Sequence, residues 1–226
     1  MILTVHQPAY LPWLGYFEKI IRSDIYIYMD AVQFERASFI NRNKIKTANG
    51  PIWLTVPVFS KGHRETTMVN LKINNESNWQ KKHFDSICNS YKKAPYFNEI
   101  ISKIAPFYER KYDMYCDFCY DFTLFWFKEL DIKTKIIRMK DLCVDGYKSE
   151  LVLNMCKAVN ADTYISGALG KNYIDNEAFE RNNIKVVYQN YQPRSYPQLW
   201  GDFVPCLSVL DFVMNTKDYS LIMGEK

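Results

Sequence analysis

A strand–helix–strand pattern completed within the first thirty residues narrows the fold more than any other feature of the chain. Ile2-Leu3-Thr4-Val5 is a short, β-branched run of the kind that forms a buried strand. After Pro12, whose fixed φ suits a helix start, Leu14, Phe17, Ile20 and Ile21 recur on one face of a helix. Ile25 to Met29 (IYIYM) reads as a second strand, closed by Asp30. Two strands joined by a helix run in the same direction, so the unit predicts a parallel sheet in an α/β fold.

The rest of the chain adds to this unit without repeating it. Residues 38–46 are polar and basic, Ala48-Asn49-Gly50-Pro51 signals a turn, and Ile52 to Val58 reads as a strand. Met68 to Ile73 alternates like another, which predicts an antiparallel hairpin insertion. From about 77 to 130 the spacing of Trp79, His83, Ile87 and Tyr91 predicts a helical subdomain, with Pro95 and Pro106 as breaks. Strands are expected again at 133–138, 162–165 and 184–188. Helices are expected near Leu151–Val159, at about 175–182, and from Ser208 onward. The sequence therefore predicts one domain over 1–226 with a mainly parallel, Rossmann-like sheet, a HUP-like sheet being a variant of that arrangement.

Composition sets limits on partners. The formal charge of +4 is small for 226 residues, which argues against stable nucleic-acid binding and leaves an anionic small molecule acceptable. The opening MILTVHQP lacks the basic and long apolar stretches of a signal peptide, and no run of 18 apolar residues occurs, so no membrane insertion and a cytoplasmic location are expected. The six cysteines fall mostly in apolar periodic segments, as reduced structural thiols do. Cys116-Asp117-Phe118-Cys119 spells CxxC without a second ligand pair, so no metal site is expected. The chain also carries 17 Tyr, 14 Phe and 5 Trp, a surplus open to two readings: glycan or base stacking, or packing of long loops.

Chemistry is most plausible where strands end. His6 and Gln7 follow the first strand and precede a helix, the position where α/β sheets hold ligands and where helix N–H groups attract anions. His6 would serve as acid or base near neutral pH; equally, Pro8, Pro12 and Trp13 could simply fix a tight connection. Asp30 ends the second strand, with Gln33, Asn41, Arg42 and Lys46 following; an acid there can orient a base, and the cations can neutralise phosphate. Ser166-Gly167-Ala168-Leu169-Gly170 ends a later strand ahead of Tyr173, and its glycines would allow close backbone approach to a ligand. His83 on an apolar helix face reads as a satisfied core histidine, and His63 in its polar loop as solvent-exposed.

The string HQPAYLPWLGYF (6–17), together with DAVQF (30–34), NRN (41–43), YISG (164–167) and FVPCLSVLD (203–211), resembles the WbqC-like protein family from end to end. Cys206 departs from the resemblance, standing where the family pattern has Asn. The resemblance implies a transferase of bacterial surface-polysaccharide (O-antigen) biosynthesis that places an aminoacyl or acyl group on a nucleotide-linked amino sugar. On that reading His6 and Asp30 are catalytic, while Gln7, Tyr10, Trp13, Gln33, Asn41, Arg42, Lys46, Ser166, Gly167, Gly170 and Tyr173 hold substrate. The donor would be an acyl or aminoacyl compound such as a CoA thioester. A HUP-like, ATP-dependent carboxylate-activating enzyme and a non-catalytic carbohydrate-binding factor are the alternatives, and a homo-oligomer is compatible with each.

Overall fold

The computed structural model describes residues 1–35, 38–59 and 66–225. Its centre is a sheet of five parallel strands: β1 (Ile2–His6), β2 (Ile25–Tyr28), β5 (Lys135–Arg138), β6 (Thr163–Ser166) and β7 (Lys185–Tyr188), in the order β5-β2-β1-β6-β7. In chain order the sheet strands are arranged 3-2-1-4-5, the Rossmann-like order in which connections leave β1 in opposite directions. The opening βαβ unit is formed as the spacing requires, with α1 (Leu14–Ile21) between β1 and β2.

The sheet is covered on both faces, which is why its strands lack polar alternation. Leu3, Val5, Ile25, Ile27 and Tyr164 point to one face and pack on α5 (Ser149–Ala158) and α6 (Asn176–Arg181), with Val152, Met155 and Phe179 against them. On the other face Tyr26 and Tyr28 meet Tyr16 and Phe17 of α1, a helix whose residues 14–20 are all buried. The same core continues into α2 (Trp79–Tyr91), α3 (Phe97–Glu109), α4 (Tyr115–Glu129) and α7 (Val209–Asn215). Trp126, Phe118, Phe212 and ten of the 17 tyrosines are buried in these interiors, so most of the aromatic surplus serves packing. Each such ring contributes roughly 2–3 kcal/mol by leaving water.

A separate antiparallel hairpin is formed by β3 (Arg42–Thr47) and β4 (Gly50–Thr55), turning at Gly50 with φ +99°. Two sequence expectations require correction. Met68–Asn70 is one 3-10 turn rather than the start of a strand: Met68 and Leu71 are buried at turn spacing, and Met68, Val69 and Ile73 donate their N–H groups to Val32, Asp30 and Asp113. Pro106 does not break its helix but lies inside α3. Its missing N–H leaves the carbonyl of Ser102, an exposed residue, open to solvent rather than orphaned in the core. Pro95 does fall between α2 and α3. His63 lies outside the described residues.

Candidate functional site

The register of the parallel strands determines which side chains share the carboxyl edge of the sheet. His6 is level with Tyr28, and Tyr28 with Arg138; on the other side Thr4 pairs with Ile165, which carries His6 to the level of Gly167. Gln189, just past β7, donates its N–H to the Ser166 carbonyl at 2.8 Å. Because side chains alternate with period two, Arg138, Tyr28, His6 and Gln189 project to the α1 side, while Ser166 projects to the α5/α6 side. The crevice between β1 and β6, where the strand order reverses, is the ligand position of this topology.

His6 is the best-placed reactive group in that row. Its Nδ1 lies 2.8 Å from the Gln7 carbonyl, an acceptor only, so Nδ1 carries the proton and Nε2 keeps a lone pair. The ring packs edge-on against Tyr16 at 4.8 Å. Burial pushes its pKa down to about 3, the Lys19 ammonium adds to the shift, and the bond to Gln7 opposes it. Lys19 is itself 4% exposed, yet donates to the Val5 carbonyl at 2.9 Å. Burial pulls its amine down to about 7, against the pull of Glu18. Glu18 in turn accepts from Arg22 at 2.8 Å and from Gln189 Nε2 at 2.5 Å, and the same Gln189 nitrogen reaches the Gly15 carbonyl at 2.7 Å. The Gln7 side-chain amide is half-buried, and no hydrogen bond to it occurs among the described residues.

The motif beyond Gln7 is held by segments distant in sequence. Tyr10 N–H donates to Ile40 at 2.8 Å, Asn43 Nδ2 donates to the Leu11 carbonyl at 2.6 Å, and Val209 N–H donates to Pro12 at 2.7 Å. Leu11 adopts φ +48°, a left-handed turn that these contacts enforce. Trp13 bridges to Ser208, packs edge-on against Tyr191 at 5.4 Å, and lies so close over Gly15 that no Cβ would fit there. Both neighbours of Trp13 carry a buried hydroxyl, Tyr191 OH and Ser208 Oγ, with no partner among the described residues. Buried polar atoms left unpaired in a folded chain mark places where a ligand or water completes the set.

Other expected site residues are placed elsewhere. Tyr10 is buried in the helical core, its hydroxyl 2.9 Å from His83 Nδ1 and 2.8 Å from Tyr108 OH. His83 is thus the satisfied core histidine anticipated, and burial lowers its pKa to about 4 against a backbone hydrogen bond with Thr55. The Asp30 carboxylate is wholly buried, bound to Arg138 Nε at 2.6 Å and to the Lys140 N–H at 3.0 Å. It therefore orients Arg138, whose guanidinium lies 4.7 Å over the Tyr120 ring, and does not face the crevice itself. Lys46 is buried and holds the 198–202 loop through Gln198 and Gly201 at 3.2 Å each and through the Asp202 carbonyl. Asn41 donates to the Val56 carbonyl at 2.9 Å, and Gln33 is exposed in a bridge to Thr67.

Arg42 lies on the hairpin, its guanidinium 4.5 Å over Trp53. Of the later loop, Gly167 lines the crevice edge with open space at its Cβ position. Gly170 instead admits the Ser166 hydroxyl, which a Cβ would strike. Tyr173 is exposed beyond it. Cys116 and Cys119 are buried in α4 with thiols raised by that burial, and no group of three metal-ligating side chains occurs among the described residues. A cleft of about 510 Å³ near Asp24, Lys133 and Tyr219 lies at the amino ends of β2 and β5, away from the strand ends that carry His6.

Sequence reasoning missed Glu18, Lys19, Gln189, Tyr191 and Arg138. Glu18 and Lys19 look like the solvated face of an amphipathic helix, but in the fold Gln189 closes on Glu18 and Lys19 turns back onto the Val5 carbonyl, both side chains buried. The comparisons with known proteins agree with the extent of the motifs. The model of the WbqC-like protein family matches residues 7–221. An uncharacterized protein of Mycobacterium tuberculosis, Rv1507c, is 31% identical over 226 aligned positions, covering 94% of this chain and 93% of its own. No solved structure matches the chain. No helix among the described residues is long and apolar enough to cross a membrane.

Proposed function

The chain belongs to the WbqC-like protein family, and from that membership and the row at the carboxyl edge we propose that it is a transferase of bacterial surface-polysaccharide biosynthesis. It places an aminoacyl or acyl group on the amine of a nucleotide-linked sugar. The observation that supports this reading most directly is His6, fixed by the Gln7 carbonyl with its Nε2 lone pair at the β1/β6 switch point. The sugar amine attacks the donor carbonyl carbon, the new N–C bond forms, and the C–S or C–O bond of the donor breaks. His6 Nε2 takes the amine proton and returns it to the leaving thiolate or alkoxide, so the imidazole ends unchanged. Burial and the Lys19 charge make His6 a weak base; a substrate phosphate beside it would offset the Lys19 charge and raise its basicity. Gln7, Trp13, Tyr191 and Gln189 would orient the sugar.

The test is to incubate the protein with UDP- and dTDP-linked amino sugars and acyl- or aminoacyl-thioesters, and to follow amide formation by mass spectrometry. Amide product that His6→Ala abolishes supports the reading; no product with any pair, or full turnover by His6→Ala, sinks it. The 3-2-1-4-5 strand order favours one second reading, a HUP-like enzyme that binds ATP at the same crevice and activates a carboxylate. After His6 the chain reads Gln7-Pro8-Ala9 and lacks the HxGH spacing of that class, which weighs against it. Pyrophosphate release from ATP in the presence of amino acids or sugar acids separates the two.

A further inference from the structure

The irregular segment between β7 and α7 carries a cation that the row around His6 does not use. At its start Gln189 closes over Glu18 and the Ser166 carbonyl, and Tyr191 packs on Trp13 at 5.4 Å. Further on, Tyr196 donates its hydroxyl to Asp211 of α7 at 2.8 Å. Between these anchors lies Arg194, partly buried, to whose guanidinium no hydrogen bond, ion pair or ring contact occurs among the described residues. Every other charged side chain among them that is not exposed has such a partner, as Lys19, Asp30, Lys46 and Asp211 do. Glu225 donates its N–H to the neighbouring Gln192 carbonyl at 2.9 Å, yet makes no ion pair with Arg194. A guanidinium drawn partly out of water with no acid beside it costs free energy, and such a cost persists where a ligand supplies the anion. The Tyr191 hydroxyl, three residues earlier, is buried and unpartnered as well, and Ser208 Oγ is a third such group beside Trp13. Three residues span at most about 10 Å of chain, within the reach of one long side chain and a bound diphosphate. Pro193 and Pro197 restrict the backbone on either side, so the arginine is presented on a stiff strap.

We propose that Arg194 binds the phosphate of the substrate, its planar fork pairing with two phosphate oxygens and the Tyr191 hydroxyl acting as a second donor. The inference rests on the transferase reading for the nucleotide-linked class of substrate, and adds to it the residue that recognises the phosphate.

The experiment is calorimetric titration of the full chain with UDP and dTDP, with uridine and thymidine, and with inorganic pyrophosphate. It is repeated on Arg194→Gln, Arg194→Lys and the control Arg181→Gln, an exposed arginine of α6. A diphosphate should bind more tightly than its nucleoside, and the advantage should shrink as salt rises. Arg194→Gln should weaken the diphosphate about ten- to a hundred-fold and leave the nucleoside unchanged. Arg194→Lys should restore part of the loss, since it keeps the charge without the fork, and Arg181→Gln should change nothing. Pyrophosphate weakened in parallel supports the contact and shows that free phosphate suffices; a response of the nucleotides alone supports it and shows that the nucleoside is needed. Because the guanidinium makes no contact with the rest of the described chain, Arg194→Gln should melt no lower than the parent in the absence of nucleotide. A lower melting temperature would mark a structural arginine and overturn the proposal. So would equal diphosphate affinity in Arg194→Gln, equal loss in Arg181→Gln, no binding of any diphosphate, or an Arg194-dependent dimer in place of nucleotide binding. Amide formation with unchanged KM in Arg194→Gln sinks this proposal alone, whereas Arg194-dependent diphosphate binding without any amide product sinks the transferase reading alone.

Discussion

Gly170→Ala distinguishes a ligand-approach glycine from a packing glycine. The backbone φ of Gly170 is not in the left-handed region, so alanine is free to adopt it and would gain up to about 1 kcal/mol from a stiffer unfolded chain. Against this, the new Cβ would strike Ser166 Oγ and come within 3.1 Å of Ser166 Cβ. Ser166 is 1% exposed and its hydroxyl donates to the Gly167 carbonyl at 3.1 Å. Rotating the hydroxyl away would bury it unpaired, at about 1–3 kcal/mol, and overpacking costs a similar amount if it stays. The net expectation is a loss of about 2 kcal/mol in urea unfolding at neutral pH. Ser166→Ala alone should cost about 1 kcal/mol, and in the double variant only a tight Cβ–Cβ contact remains. The two changes should therefore couple favourably by about 1–2 kcal/mol. A neutral or stabilising Gly170→Ala, or a double variant that is merely additive, would refute the packing argument and return Gly170 to the ligand.

Three further outcomes follow from the same geometry. Histidine C–H resonances should show His6 neutral down to about pH 3 and His83 to about pH 4, against 6.5 unfolded. Since both folded values are lowered, stability should fall as pH drops below about 6.5, and His6→Gln should flatten part of that slope. Lys19, with its amine lowered to about 7 by burial, should make stability rise between about pH 7 and the unfolded value of 10.5; Lys19→Met should remove that rise in urea melts taken across the range. Tyr10→Phe leaves His83 Nδ1 and the Tyr108 hydroxyl without their shared partner in a dry core and should cost about 1–3 kcal/mol; an unchanged melting temperature would contradict this.

Much of the fold was legible because the signals are local. The run ILTV, the helical spacing from Leu14 to Ile21 and the run IYIY each dictate their own element, and a βαβ sequence allows only a parallel pairing. The Asn49-Gly50 turn was legible, but the strand before it, β3, reads in sequence only as a polar, basic stretch, and its pairing with β4 is a finding of the structure. Met68–Ile73 and Pro106 were misread because alternation does not separate a strand from a 3-10 turn with buried residues three apart, and because a proline is tolerated where the freed carbonyl is open to solvent.

The site divides differently. That His6 and Gln7 stand at a strand end, and Gly167 at another, is a property of the sequence, because each follows a β-branched run. That those two ends are neighbours is decided by strand order, which no local pattern encodes. Tertiary structure alone buries Glu18 and Lys19, sets Gln189 across them, encloses Asp30 with Arg138, and turns Lys46 and Tyr10 into struts. A polar side chain has the same chemistry in every environment the sequence could give it. Whether it meets substrate or a carbonyl depends on which distant segment folds over it, and that is settled by long-range packing.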